Sequence, residues 1–281
     1  RKTLGEKDLL TFRAWNTLGQ LQIKIGEYDK AIKTFETNLA AMQGVLPEGH
    51  LRIVTAWEGI AVAYANRDDA GKNIAKASEY LSKVWKARES RQGQAHPDTL
   101  LSELNYIASQ ADLKKYAEAR AHLERLLPMM EKTFGPQHVA YLRARGNLAV
   151  IYRDMGEPAK AAEMLKELLF DVKASGDVRL FMNTSAALRK AYQATGDLDS
   201  AVFFGQQAVA AGQSLRKKLA KSPPDVRNAF ARSMTSTYQG LADVLMAQGK
   251  VSEAQQVMAL LKADELADVG GGAASGGAGS G

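Results

Sequence analysis

YLRARGNLAVIYRDMGEPAKAAEMLKELL, residues Tyr141–Leu169, is the stretch whose reading decides the fold. Its apolar positions form two stripes at spacings of three and four. Leu148, Ala149, Ile151 and Tyr152 make the first; Ala161, Met164, Leu165, Leu168 and Leu169 make the second. Residues three and four apart share one face of a helix, so each stripe reads as an amphipathic helix. Gly156 and Pro158 separate the two. Glycine takes the left-handed conformation that ends a helix, and proline fits the first turn of the next, where its missing N–H costs nothing. Two short antiparallel helices follow, and neither can bury its apolar face alone. Ala149 and Ala161 stand where the helices should approach most closely, with the Tyr152 ring filling the space beside them.

The order of leucine, alanine, ring, turn glycine and second alanine resembles the tetratricopeptide repeat, a helix–turn–helix unit that stacks into a superhelix. The pattern recurs. AWNTLGQLQIKIGEYDKAIKTFETNLAAM carries Trp15, Leu18, Gly19, Gly26, Tyr28, Ala31 and Phe35 at the repeat's spacing, with Gln22 where the pattern usually has tyrosine. Gly19 inside a helix costs about 1 kcal/mol against alanine, so its expected use is close helix packing. A second unit has Ile60, Ala61, Tyr64, Ala77, Leu81 and Trp85, joined by a turn, NRDDAGKN, read as longer than the others. A third has Ile107, Ala108, Tyr116, Ala119, Leu123 and Leu127, with a turn one residue shorter and Lys115 where glycine is expected. Leu188, Tyr192, Gly196, Leu198, Ala201 and Ala208 mark a fifth; Leu241, Ala242, Gly249, Val251, Ala254, Met258 and Leu261 mark a sixth.

The second-helix alanines fall at 31, 77, 119, 161, 201 and 254, so the central intervals are 46, 42, 42 and 40 residues. The usual unit has 34. A period near 42 resembles the repeats of kinesin light chains and their bacterial relatives. So do the loops LPEGHLRIV, GQAHPDTLL and FGPQHVAYL, each with a histidine: His50, His96 and His138. The resemblance implies an all-α chain, an α-solenoid of about six helix-turn-helix repeats in a right-handed superhelix. They fill residues 1–268, near 12–45, 53–88, 100–130, 141–172, 183–212 and 224–265; residues 269–281, rich in glycine, alanine and serine, read as a flexible linker or tag. Residues 1–11 read as a polar lead-in, with a helix beginning at Gly5–Leu9.

Composition narrows the function. There is no cysteine, which removes disulfides, thiolate metal sites and a cysteine nucleophile, and gives a lean toward the cytoplasm. No apolar run approaches the roughly 20 residues of a membrane span, and the first residue, Arg1, suggests a fragment or processed product. Three of the four histidines recur because the repeat recurs, one per loop and about 10 Å apart by stacking, too far to share an ion. His122 is read as lying on the polar side of a second helix. No metal and no cofactor are expected. Neither a phosphate-cradling glycine loop nor a nucleophile elbow occurs, and Asp68–Asp69 read as a solvated loop tip, so an enzyme is not expected.

Net charge is +6. Basic residues are not interleaved with aromatics as base stacking requires, so a solvated basic surface is the first reading and a nucleic-acid-responsive regulator the last of three. The first helices of such repeats line a concave groove. In this register Arg13, Asn16, Gln20, Lys24, Asn66, Asn105, Arg143, Asn147, Arg153 and Lys190 point into it. Asparagine amides suit an extended peptide backbone, and arginines fork to carboxylates, so the expected partner is a protein or extended peptide with acidic groups. Arg216, Lys217, Lys218 and Lys221 cluster beside the Ser222-Pro223-Pro224 break and read as a solvated helix face.

After that break, Pro224–Ala247 reads as one long helix. Gly249, Glu253, Ala254, Gln255, Gln256, Val257, Leu260, Leu261, Lys262 and Glu265 then resemble the run that precedes the peptidase domain in bacterial CHAT proteins, caspase-like peptidases with tetratricopeptide repeats. That resemblance implies the regulatory repeat region of such a protein, its peptidase domain lying beyond this chain. The rival is a self-contained peptide-binding adaptor of the kinesin-light-chain type.

Overall fold

The computed structural model describes residues 8–67 and 70–273, and the side chains of 8–67, 73–223 and 226–264. Twelve helices occur among the described residues: α1 (Leu9–Lys24), α2 (Tyr28–Met42), α3 (Leu51–Ala65), α4 (Ala70–Gln92), α5 (Pro97–Asp112), α6 (Tyr116–Phe134), α7 (Val139–Asp154), α8 (Pro158–Ser175), α9 (Val178–Thr195), α10 (Leu198–Leu219), α11 (Pro224–Ala247) and α12 (Val251–Ala273). There is no strand among them, only a lone bridge between Gln43 and Leu46. The chain divides into two compact units, Arg1–Pro136 with α1–α6 and Gln137–Gly281 with α7–α12. Each holds three helix pairs in which sequential helices pack on one another, so the all-α repeat reading holds.

The small positions do what close packing requires. Ala31, Ala119, Ala149 and Ala161 are fully buried. In the first unit the Phe35 ring is fully buried against Gly19 of α1 and Gly59 of α3, where an added Cβ would come within 2.5 and 2.2 Å of its Cζ. Met42, Ile60, Leu100, Leu104, Leu123 and Leu126 complete the buried interior of that unit. In the second, Met234, Tyr238, Leu241, Val244 and Leu245 of α11 form a cluster with residues of α9, α10 and α12.

The turns correct the register at two places. Gly156 ends α7 at φ 90°. The α5–α6 turn has the same three residues as the α7–α8 turn, and its left-handed residue is Lys114, at φ 61°, not Lys115. A left-handed conformation costs a residue with a Cβ about 1–2 kcal/mol. Counting back from that turn puts Ile107, fully buried, at the small position, and leaves the neighbouring Ala108 half-buried. The turn read as NRDDAGKN is shorter than expected, because residues 70–73 already belong to α4; Asp68 and Asp69 lie outside the described residues, as do residues 1–7 and 274–281. Helix α12 continues to Ala273, past residue 268.

The loop histidines are helix caps. Nδ1 of His50 accepts the Arg52 N–H at 3.3 Å, Nδ1 of His96 that of Asp98 at 3.2 Å, and Nδ1 of His138 that of Ala140 at 3.2 Å. Each starts the first helix of a pair, satisfying an amide that the helix itself leaves unpaired.

Candidate partner-binding site

First helices adjoin first helices at three places, α1 with α3 in the first unit and α9 with both α7 and α11 in the second. Polar residues on that layer are therefore neighbours across helices. In the first unit Arg13, Gln20, Lys24, Asn66 and Asn105 are exposed. Asn66 is the C-cap of α3 and donates from Nδ2 to its own helix at the Val62 carbonyl, 2.7 Å.

Asn16 is not available to a partner. It is buried, donates from Nδ2 to the Arg52 carbonyl at 3.1 Å, and accepts the Asn38 amide at 2.8 Å, while Asn38 also reaches the Phe12 carbonyl at 2.9 Å. The pair ties α1, α2 and α3 together. Buried amides must find such partners, and this one finds them inside the unit.

In the second unit Arg143 and Lys190 are exposed and Asn147 and Arg153 half-buried. The structure brings Arg153 and Lys190 together and adds a residue that the periodicity does not single out, Arg189. Its guanidinium is buried at the position that is alanine in α3, α7 and α11. It donates to the Gln193 side chain at 2.8 Å and to the Gly240 carbonyl at 3.1 Å. An added Cβ at Gly240 would lie 2.5 Å from the Arg189 Cζ, so the glycine makes the room. Burial, together with the Arg153 and Arg189 guanidiniums, holds the Lys190 ammonium below the usual lysine value, and Asp154 opposes them. Arg153 is itself salt-bridged to Asp154 at 2.6 Å. The cations outnumber the carboxylates nearby, which favours an anionic group over this surface.

A groove of about 620 Å³ in the first unit was not legible as a site. Lys83, Lys86 and Lys115 line it together with Ser78, Tyr106 and Gln110. Gln110 donates from Nε2 to Ser78 Oγ at 2.6 Å, and the Tyr106 ring stacks on Trp85 at 5.4 Å. Beside it, the fully buried Glu103 carboxylate meets His122 at 3.2 Å and the Arg125 guanidinium. Burial raises the Glu103 pKa above the usual carboxylate range, with His122 and Arg125 pulling the other way. His122 is thus half-buried, edge-on to Trp85 and Tyr106, rather than on a solvated side.

The Arg216 cluster also divides. Arg216 leaves the solvated group to bind the Asp264 carboxylate and the Asp264 carbonyl, and the Tyr238 hydroxyl donates to the same carboxylate at 2.6 Å. These bonds fix α12 against α10 and α11. The described residues hold no group of three potential ligands placed for a metal, and no described helix is long and apolar enough to cross a membrane.

Comparison with known proteins agrees on the architecture. Residues 98–169 match one tetratricopeptide-repeat family model and residues 12–37 another. The fold is similar to that of a kinesin-light-chain-type protein from Podosopora anserina with nearly identical TPR-like repeats (22% identity, TM-score 0.58, 73% of this chain and 96% of that one). It is similar to BtubC from P. vanneervenii, with 18% identity, TM-score 0.58 and 72% and 79% of the two chains. It is also similar to a Rap protein complexed with Competence and Sporulation Factor, with 14% identity, TM-score 0.60 and 95% and 78% coverage. No match is found among curated proteins. The chain carries tetratricopeptide repeats, and the fold fits a protein-interaction scaffold.

Proposed function

We propose that this chain is a scaffold whose first-helix layer binds an acidic, extended peptide or protein segment. The observation that carries the reading is the convergence of Arg153, Arg189 and Lys190 on α7 and α9, where positive charge is partly desolvated and only in part neutralised. Arg143 and Asn147 on α7 supply further donors in that unit. Arg13, Gln20, Lys24, Asn66 and Asn105 offer a second, independent set in the first unit. The Rap neighbour with its bound factor is a similar fold used for ligand recognition, which supports the class of partner.

Hexaglutamate is the probe. Its affinity should fall at least tenfold in Arg153→Gln/Lys190→Gln, measured by calorimetry at low salt, and less in Arg13→Gln/Lys24→Gln. Equal affinity in all three proteins would remove the reading.

On the same footing, we read the chain as the regulatory repeat region of a CHAT-type peptidase. The support is the Gly249–Glu265 run, whose helix is held in place by Arg216, Tyr238 and Asp264. The reading frame after Gly281 tests it. A following domain with a catalytic histidine and cysteine is the expected result, and a stop codon or an unrelated domain refutes it.

A further inference from the structure

Each first helix that follows a helix pair within its unit presents three positions to the preceding second helix. On α5 the contacts are explicit. Ser102 Oγ accepts from Arg88 of α4 at 2.5 Å, the Tyr106 ring stacks on Trp85 of α4, and Ser109 Oγ bonds Ser78 of α4 at 2.9 Å. On α11, Leu241 lies so close to Gly205 of α10 that an added Cβ there would meet it at 2.8 Å. Counted from the shared small position, the equivalents are Ala56, Ile60 and Ala63 on α3 and Thr184, Leu188 and Ala191 on α9. All six are buried.

On α1 the same three positions are Ala14, Leu18 and Leu21, and no described helix covers them. Leu18 is 44% and Leu21 52% exposed, and Leu10 at 55% and Ile25 at 66% extend the stripe along the helix. Trp15, 38% exposed, borders it. At 3.6 residues per turn these fall on one side of α1, nearly opposite the side where Phe12, Asn16 and Gly19 face the interior. A helix apolar on two sides is built to be covered on both. Arg13, Thr17 and Lys24 run along one edge of the stripe, and no carboxylate occurs from Leu9 to Lys24.

We propose that the outer face of α1 is a docking seat for an amphipathic helix with an acidic flank, supplied by a partner protein and lying as α2 lies on α3. The register specifies a helix, because a helix fills this place on α3, α5, α9 and α11. The charge specifies the flank. A second copy of α1 would bring the same basic edge, so self-pairing through this face is disfavoured. This seat goes beyond the peptide surface proposed above: it shares Arg13 and Lys24 with the first-unit set and stands apart from the second-unit set on α7 and α9.

A labelled synthetic peptide copying α8, residues 158–175, with Lys160→Glu, Lys166→Glu and Lys173→Glu, serves as the probe. It carries a leucine face of the kind that α8 lays on α9, and a fully acidic flank. Anisotropy titration with the whole chain should give saturable binding that weakens at least tenfold in Leu18→Glu/Leu21→Glu. These positions are solvent-exposed, so the variant's circular dichroism and melting should match the parent, and it should keep the hexaglutamate affinity that depends on Arg153 and Lys190, which separates this seat from the second-unit surface. Equal peptide binding by parent and variant overturns the proposal. So does sedimentation showing a parent dimer that the variant loses, because the occupant is then a second copy.

Discussion

In the first unit Phe35 lies between two glycines of neighbouring helices, Gly19 and Gly59; in the second Arg189 lies between Gly205 and Gly240. Gly19, Gly59 and Gly240 each leave room for that one large side chain, whereas Gly205 is crowded by Leu241 as well as by Arg189. The chemistry is opposite. Phe35 is an apolar wedge whose burial drives the packing, whereas the Arg189 guanidinium pays for its desolvation with hydrogen bonds to Gln193 and the Gly240 carbonyl. An apolar wedge is a stability element. A buried cation is held at little or no net gain, and its presence points to a use other than stability.

The largest expected contrast tests that distinction. Phe35→Ala should cost about 3–5 kcal/mol by urea denaturation, the lost transfer energy plus a cavity. Arg189→Met, which keeps the stem and removes the charge, should stay within about 1 kcal/mol of the parent or gain stability. It should also weaken hexaglutamate binding. If Arg189→Met unfolds the chain as Phe35→Ala does, the two wedges are equivalent and the charge is structural.

The glycines sharpen the comparison at smaller scale. An alanine Cβ at position 59 would sit 2.2 Å from a Phe35 ring that is fully enclosed, and the ring cannot fold away. Overpacking of that kind costs roughly 1–3 kcal/mol, against a helix-propensity gain of about 1. Gly59→Ala should therefore lower stability by a net ~1 kcal/mol and at most about 2. Gly240→Ala meets the tip of Arg189, which can swing aside, so its net change should stay under about 1 kcal/mol. The cost of the shifted guanidinium should surface in ligand affinity instead, read by the same calorimetry.

The repeat itself was legible, because small residues at fixed spacing have one physical meaning when helices must nest. Ala31, Ala119, Ala149 and Ala161 carried it, and all four are buried. What escaped the periodicity were polar residues in apolar positions. Asn16 read as groove-lining because an asparagine on a first helix is usually solvated; its partner Asn38 lies 22 residues on, and only folding joins them. Arg189 occupies a position where alanine is usual, and no spacing rule marks a buried guanidinium there; Gly240 opposite it is the trace that something large has to fit. The histidine caps went unassigned for a different reason. Their recurrence was visible, but a ring nitrogen accepting from the amide two residues on leaves no periodic trace.

Glu103 is the first unit's own buried charge, and its pH response separates it from Arg189. Burial raises its folded pKa above the ordinary glutamate value. A raised carboxyl pKa means that the folded state holds the proton more tightly than the unfolded one. The stability it contributes is fully present below the unfolded value and is lost as pH rises through the folded one. Glu103→Gln fixes the neutral form. The variant should match the parent near pH 4 and become progressively the more stable of the two toward pH 7, in urea melts at each pH. A constant gap across that range would mean that His122 and Arg125 offset the burial completely.

The smallest effect is expected at the caps. His96 caps α5 through Nδ1 and is exposed, so His96→Ala removes one acceptor and little packing. The cost should be about 0.5–1 kcal/mol. His96→Asp keeps an oxygen acceptor within reach of the Asp98 N–H and adds negative charge at the positive end of the helix, which favours it by a further few tenths. The order of melting temperatures should therefore be Asp at or above His, and His above Ala. His138→Asp on α7 should follow the same order, because the cap geometry is the same in the second unit. An aspartate that melts with the alanine variant at either site would show that the imidazole serves through its ring contacts and not as a cap.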